Sequence, residues 1–98
     1  MEPELGSYID RREAALAAVR TILIDNLGYQ AEPQEIDADA PLFGTGLGLD
    51  SVDALELVVA VEAGFGVTLP ENALRERLRT LNTLVDLLLQ RQDERSEA

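Results

Sequence analysis

The stretch Leu47-Gly48-Leu49-Asp50-Ser51-Val52-Asp53-Ala54-Leu55-Glu56-Leu57-Val58 passes from a glycine-containing turn into a strongly periodic segment. At about 100° per residue, Ala54, Leu57, Val58, Val61 and Phe65 cluster within roughly one third of a helical wheel, which predicts a helix and marks its core face. Val52, Leu55 and Val59 fall on a neighbouring arc together with Glu56 and Glu62. This helix therefore has a second apolar stripe bordered by carboxylates, the anatomy of a protein-binding surface. The plain alternative is a bundle that wraps further around it. Asp50 is placed to cap the helix, with Asp53 three residues on, and Gly64 or Gly66 ends it. Ser51 stands at the helix start, after a turn that exposes it. Unpaired N–H groups and the helix dipole at that end can receive a phosphodiester on its hydroxyl. The position suits a modified serine better than an activated nucleophile, because the chain has no base to activate one.

Upstream, from Tyr8 to Leu27, the spacing of Ile9, Leu16, Val19, Ile22, Leu23 and Leu27 predicts an amphipathic helix, with Ser7 and Asp10 as its cap and Gly28 as its stop. Residues 29–50 contain Pro33, Pro41, Gly44, Gly46 and Gly48 and keep no period. They predict one loop of about twenty residues, a length that implies function or disorder. Its Ile36, Leu42, Phe43, Leu47 and Leu49 favour an ordered loop packed on the core. Downstream, a short helix follows Pro70 with Leu74 and Leu78 turned inward. The last helix begins at Thr80 and aligns Leu81, Leu84, Val85 and Leu88 on one face. From Arg91 to Ala98 the chain is polar and is expected to fray. The expected architecture is all-α, a four-helix bundle with a long loop between helices one and two and a short third helix. It occupies residues 7–90, between a flexible N-terminus (1–6) and a flexible C-terminal tail (91–98).

Of the 98 residues, 19 are acidic and 8 basic, for a net charge of −11. Every basic residue is arginine, and Lys, His, Cys and Trp are absent. That composition excludes a serine triad, a Cys–His pair, a Schiff-base lysine, a Cys/His zinc site and a phosphate loop. So acidic a surface repels nucleic acid and anionic lipid, leaving basic protein surfaces as the expected company. A hydrophobic fraction of 46% rules out a disordered acidic tail. No apolar run is long enough to span a bilayer, and no secretion signal opens the chain, so a cytoplasmic monomer is expected. Three weaker fragments fail on spacing. Asp37 and Asp39 begin like a calcium loop, but Leu42 stands where its glycine belongs and Gly48 where its Glu belongs. Gly44-Thr45-Gly46-Leu47-Gly48 resembles a dinucleotide fingerprint with its last glycine one residue early and no strand before it. Asp53 and Glu56 could act as paired carboxylates, but without an aromatic platform a solvated helix face is the better reading. No metal site and no catalytic residue is expected.

The segment Leu47 to Leu57 closely resembles the Leu-Gly-x-Asp-Ser-Leu-x-x-x-Glu-Leu signature of acyl carrier proteins and related carrier domains. The likeness extends to Phe43, to Phe65-Gly66-Val67-Thr68-Leu69-Pro70, and to Thr80 with Asp86, covering about residues 7 to 90. It implies that a phosphopantetheinyl transferase, drawing on coenzyme A, esterifies Ser51 with 4′-phosphopantetheine, whose thiol then carries acyl groups as thioesters. A carrier of this kind is not an enzyme, and its partners supply the catalysis. By the same resemblance, Asp50, Asp53, Glu56 and Glu62 match positions that meet basic patches on acyl-loading ligases or synthases, and Val52, Leu55 and Val59 add apolar contact. In fatty-acid-type members the acyl chain enters between helices two and three, which makes Leu57, Val58, Val61 and Leu78 candidate lining. Two departures stand out: only Glu62 remains of the acidic end of helix two, and helix three carries Arg75, Arg77 and Arg79 where fatty-acid carriers are acidic. They favour a pathway dedicated to a polyketide, a specialised lipid or an aminoacyl intermediate. The alternatives are a carrier of general fatty acid synthesis, an aminoacyl or peptidyl carrier and, from other classes, an unmodified acidic helical adaptor or a carboxylate-only hydrolase.

Overall fold

Apolar residues at helical spacing close into four helices in the computed structural model, which describes residues 4–97: α1 (Glu4–Asp25), α2 (Ser51–Phe65), α3 (Glu71–Arg77) and α4 (Leu81–Glu97). Among the described residues the only extended pairings are the isolated bridges Phe43–Leu49 and Leu78–Thr80, so the molecule is an all-α bundle. The inward face of α1 is formed by Ala15, Leu16, Val19 and Leu23, all buried. Ile9 shares their period but is 51% exposed, and Tyr8, 41% exposed, lies beside Asp86, Leu89 and Asp93 of α4. The helix also starts at Glu4, so Ser7 lies inside it and does not cap it. A cap preference is worth about 1 kcal/mol and is readily overridden by the backbone bonds of a further turn. The Ser7 side chain lies outside the described residues, as do residues 1–3 and 98 of the expected flexible ends. Past Asp25, Gly28 takes a φ of +75°, and the Tyr29 N–H returns to the Leu23 carbonyl at 3.0 Å.

The long loop is ordered for the reason its apolar residues suggest: Ile36, Leu42 and Leu49 are buried, with Phe43 and Leu47 partly so. It is also tied to two helices. Arg20 Nε donates to the Ile36 carbonyl at 3.0 Å, and the Asn82 N–H donates to the Ala38 carbonyl at 3.1 Å. A single 3-10 turn, Pro33–Glu35, interrupts it, started by the fixed φ of Pro33 and by the Glu35 carboxylate accepting the Glu32 N–H at 2.9 Å.

The most enclosed element is α4, in which Leu81, Leu84, Val85, Leu87, Leu88 and Leu89 are all buried. Each such leucine contributes about 1.5 to 3 kcal/mol, and none of the described residues places a polar or charged side chain in this core. Thr80 caps the helix through its Oγ1, which accepts the Thr83 N–H at 3.1 Å. The segment from Arg91, expected to fray, instead continues α4 to Glu97. The reason lies across the molecule: Arg91 Nε donates to the Thr68 carbonyl at 3.1 Å, Gln92 Nε2 to the Phe65 carbonyl at 3.1 Å and Arg95 Nη1 to the Gly66 carbonyl at 2.6 Å. These three donors clasp the connection between α2 and α3. The third helix is two residues shorter than its arginines require. It stops at Arg77, so Arg79 lies beyond it, next to the Leu78–Thr80 bridge.

Candidate functional site

The entry to α2 is set up by the loop before it. Leu47 N–H donates to the Pro41 carbonyl at 2.8 Å and Leu49 N–H to the Leu42 carbonyl at 2.9 Å, closing a small excursion of chain. Gly46 sits at its tightest point. A Cβ there would stand 1.9 Å from the Pro41 carbonyl oxygen, so no side chain fits. Gly48 supplies the left-handed turn, φ +78°, that redirects the chain, and buried Leu49 anchors it. Asp50 then caps α2 reciprocally: its Oδ1 accepts the Asp53 N–H at 2.8 Å while Asp53 Oδ2 accepts the Asp50 N–H at 3.2 Å. This is the cap expected from the sequence, with one addition. Both carboxylates are held in place, and Asp53 is half-buried.

Ser51, the first residue of α2, is exposed, and its hydroxyl makes no hydrogen bond to any described residue. The N–H groups of Ser51 and Val52 are first-turn donors with no carbonyl available four residues back in the helix. An ester phosphate on Ser51 Oγ therefore fits here: the oxygen faces solvent, no fold contact is lost by substituting it, and the helix terminus favours a negative group. On the wheel Ser51 lies about 40° from Leu55, which places the hydroxyl and the apolar stripe on one side of the helix. That stripe is open to solvent, with Val52 65%, Leu55 66% and Val59 59% exposed. Exposed Glu56 borders it. The bundle does not wrap this face.

Glu62 stands apart from the other carboxylates. It is half-buried, and its Oε2 accepts the Leu69 N–H at 2.8 Å, holding the turn that leads to α3. On the inner face Leu57 and Val61 are fully buried, while Val58 and Leu78 are partly so. An apolar cleft of about 520 Å³ opens elsewhere, between α1 and the far end of α2, lined by Ala14, Ala18, Ile22, Gly64, Phe65 and Leu89. It lies some 20 Å along α2 from Ser51. The roles of Gly46 and Glu62 escaped the sequence reading, since a glycine among three in a loop and a glutamate on a helix carry no mark of a contact made elsewhere. No helix among the described residues is long and apolar enough to cross a membrane.

Residues 17–88 match the family model described as "Phosphopantetheine attachment site". The chain is 41% identical over 73 residues to the anthracycline acyl carrier protein DauA of Streptomyces sp. (strain C5), spanning 74% of this chain and 84% of that protein. It is 36% identical over 73 residues to an acyl carrier protein of Guillardia theta, 74% of this chain and 85% of the relative. Over 55 residues, 56% of this chain and 67% of the relative, it is 46% identical to an acyl carrier protein of Sinorhizobium fredii (strain NBRC 101917 / NGR234). A free serine hydroxyl on a capped helix, an all-helical bundle around it and a matched span running from α1 into α4 agree: the chain belongs to the acyl carrier protein family, carriers that hold acyl groups on a covalently attached 4′-phosphopantetheine.

Proposed function

We propose that Ser51 is the residue that receives the arm, and that Asp50, Val52, Asp53, Leu55, Glu56, Val59 and Glu62 make up the face on which partner enzymes dock. The observation that carries this reading is the exposed, unbonded Ser51 hydroxyl at the first position of α2, beside an apolar stripe that the bundle leaves open. In the attachment step the Ser51 Oγ–P bond forms as the pyrophosphate bond of coenzyme A breaks. Adenosine 3′,5′-bisphosphate leaves, and the hydroxyl proton passes to a base of the transferase, since this chain offers neither His nor Lys. Once bound, the arm supplies the thiol on which an acyl group rides as a thioester. The chain's own residues do the rest: the Asp50–Asp53 cap fixes the direction of the serine, the carboxylates draw in basic surfaces, and Val52, Leu55 and Val59 supply the apolar centre of the contact.

The pathway we infer is a dedicated one of polyketide type, with general fatty acid synthesis and aminoacyl carriage as the alternatives. Two observations support this reading: the likeness to anthracycline carriers and the arginines at 75, 77 and 79. The attachment is tested by intact mass after incubation with coenzyme A and a broad-specificity phosphopantetheinyl transferase. One phosphopantetheinyl group is expected on the wild type and none on Ser51→Ala, which stays folded because Asp50 still caps α2. Labelled Ser51→Ala protein would overturn the assignment.

A further inference from the structure

Arginine supplies all eight basic side chains of this chain, and most of it is committed to the fold. Arg11 Nη1 pairs with Asp93 at 3.1 Å, and Arg12 binds Asp86 and, at 2.8 Å, the side-chain oxygen of Asn82, so both join α1 to α4. Arg20 holds the long loop, while Arg91 and Arg95 clasp the α2–α3 connection. The three that remain fall between positions 75 and 79. Arg75 and Arg79 are exposed. The one partner of Arg75 among the described residues is Glu71, at 3.4 Å, with the two side chains 75% and 84% exposed, a pair too weakly held to fix either group. The guanidinium of Arg79 bonds to no described residue, although its backbone is firmly placed. Its carbonyl accepts the Leu42 N–H at 2.8 Å, and the Leu42 carbonyl accepts the Leu49 N–H at 2.9 Å. Two hydrogen bonds through one residue keep the Arg79 backbone within about 10 Å of Leu49, which stands two residues before Ser51.

This proximity matters because of how much surface an enzyme covers. A standard interface hides about 800 Å² of each partner, a patch some 30 Å across. With two more residues from Leu49 to Ser51, the Arg79 backbone lies within about 17 Å of Ser51, at the rim of a patch of that size centred on the serine. A footprint that reaches this rim would meet carboxylates (Asp50, Asp53, Glu56) and also exposed arginines. Such a two-signed patch fixes orientation as well as attraction, and it repels a surface of one sign at one of its two edges.

Resting on the reading of Ser51 and α2 given above, we propose that Arg75 and Arg79 form the second half of the docking surface, and that the enzyme which acylates this carrier sets an acidic patch against them beside a basic patch against α2. The test starts with the full-length protein loaded by a broad-specificity transferase and verified by mass. Failure to load would overturn the reading of Ser51 itself. Loaded wild type, R75E/R79E and E56R, each checked for helicity and melting temperature, are then offered to two enzymes. One is the malonyl transferase of bacterial fatty acid synthesis, whose carriers, as the resemblance implies, are acidic along helix three. The other is whichever acyl transferase or ligase from the same genome acylates the wild type fastest. R75E/R79E is expected to raise the initial rate with the first enzyme and lower it with the second, each by about fivefold at low salt, and both effects should shrink toward none at about 0.5 M sodium chloride. E56R should slow both enzymes. Rates for R75E/R79E that match wild type with both enzymes, or changes that persist undiminished at high salt, would overturn the proposal while leaving the attachment site standing.

Discussion

Asp50 and Gly46 do different work at the entry to α2, and substituting them separates the two roles. Asp50→Ala removes one partner of the reciprocal cap and leaves the Asp53 N–H without its acceptor. The expected loss is about 1 kcal/mol, or a melting temperature lower by some 4 to 8 °C in a domain of this size. Ser51 should still take the arm, because the Asp50 N–H keeps its bond to Asp53 Oδ2 and the serine stays at the helix start. A variant as stable as wild type would mean the cap contributes nothing. Gly46→Ala acts through sterics, since its new Cβ would fall on the Pro41 carbonyl. The closed excursion at 41–49 must then open, at a cost above about 1 kcal/mol. Urea titration should rank Gly46→Ala below wild type, and an unchanged midpoint would show that this stretch of loop opens freely.

Among the elements, α4 carries the prediction least visible in the sequence. Its last turns add no buried leucine; they donate side-chain hydrogen bonds to the carbonyls of Phe65, Gly66 and Thr68. These contacts are partly exposed, so together they are worth about 1 to 2 kcal/mol and no more. Gln92→Ala combined with Arg95→Ala should lower the melting temperature modestly. The same pair should speed hydrogen exchange at the Val67 and Leu69 amides, which bond to the Glu62 carbonyl and carboxylate of the same connection. Unaltered exchange at both amides would mean the clasp follows the turn without holding it. The first turns of α1, at the same end of the bundle, offer a contrast: Tyr8 and Ile9 stay largely exposed, although Tyr8 stands beside Asp86, Leu89 and Asp93 of α4.

For the whole molecule, electrostatics sets the margin. The formal charge of −11 is balanced among the described residues by only four ion pairs, each with at least one side chain more than a third exposed, so repulsion between carboxylates works against the compact state. Raising sodium chloride from about 0.02 to 0.5 M should therefore raise the melting temperature by several degrees through screening. Millimolar magnesium or calcium should do so by loose association, since the described residues hold no cluster of three or more potential ligands arranged around one ion. A calorimetric titration should show weak binding without a stoichiometric step. A melting temperature indifferent to both salts would mean the surface charges are already compensated.

The helices and the exposed serine at the start of α2 were legible in the sequence because the signals that define them are local. An apolar period of 3.6 residues, a capping aspartate with its partner three positions on, and glycines at φ +68° to +78° all act within one or two turns of chain. The two stripes of α2 were visible there as well, but whether the bundle covered the second was open until the fold showed Leu57 and Val61 buried opposite exposed Val52, Leu55 and Val59. Other features depended on what the fold brings from far away. The polar end of α4 stays helical because carbonyls 23 to 29 residues distant lie across from it. Glu62 turns to Leu69 because the chain doubles back there. Arg79 belongs to the surroundings of Ser51 through Leu42, more than thirty residues away in sequence. No periodicity encodes such contacts. They arise only when buried leucines from four helices and a loop fix distant backbone groups within hydrogen-bonding reach, so that a donor's worth is set by what stands opposite it and not by its neighbours in the chain.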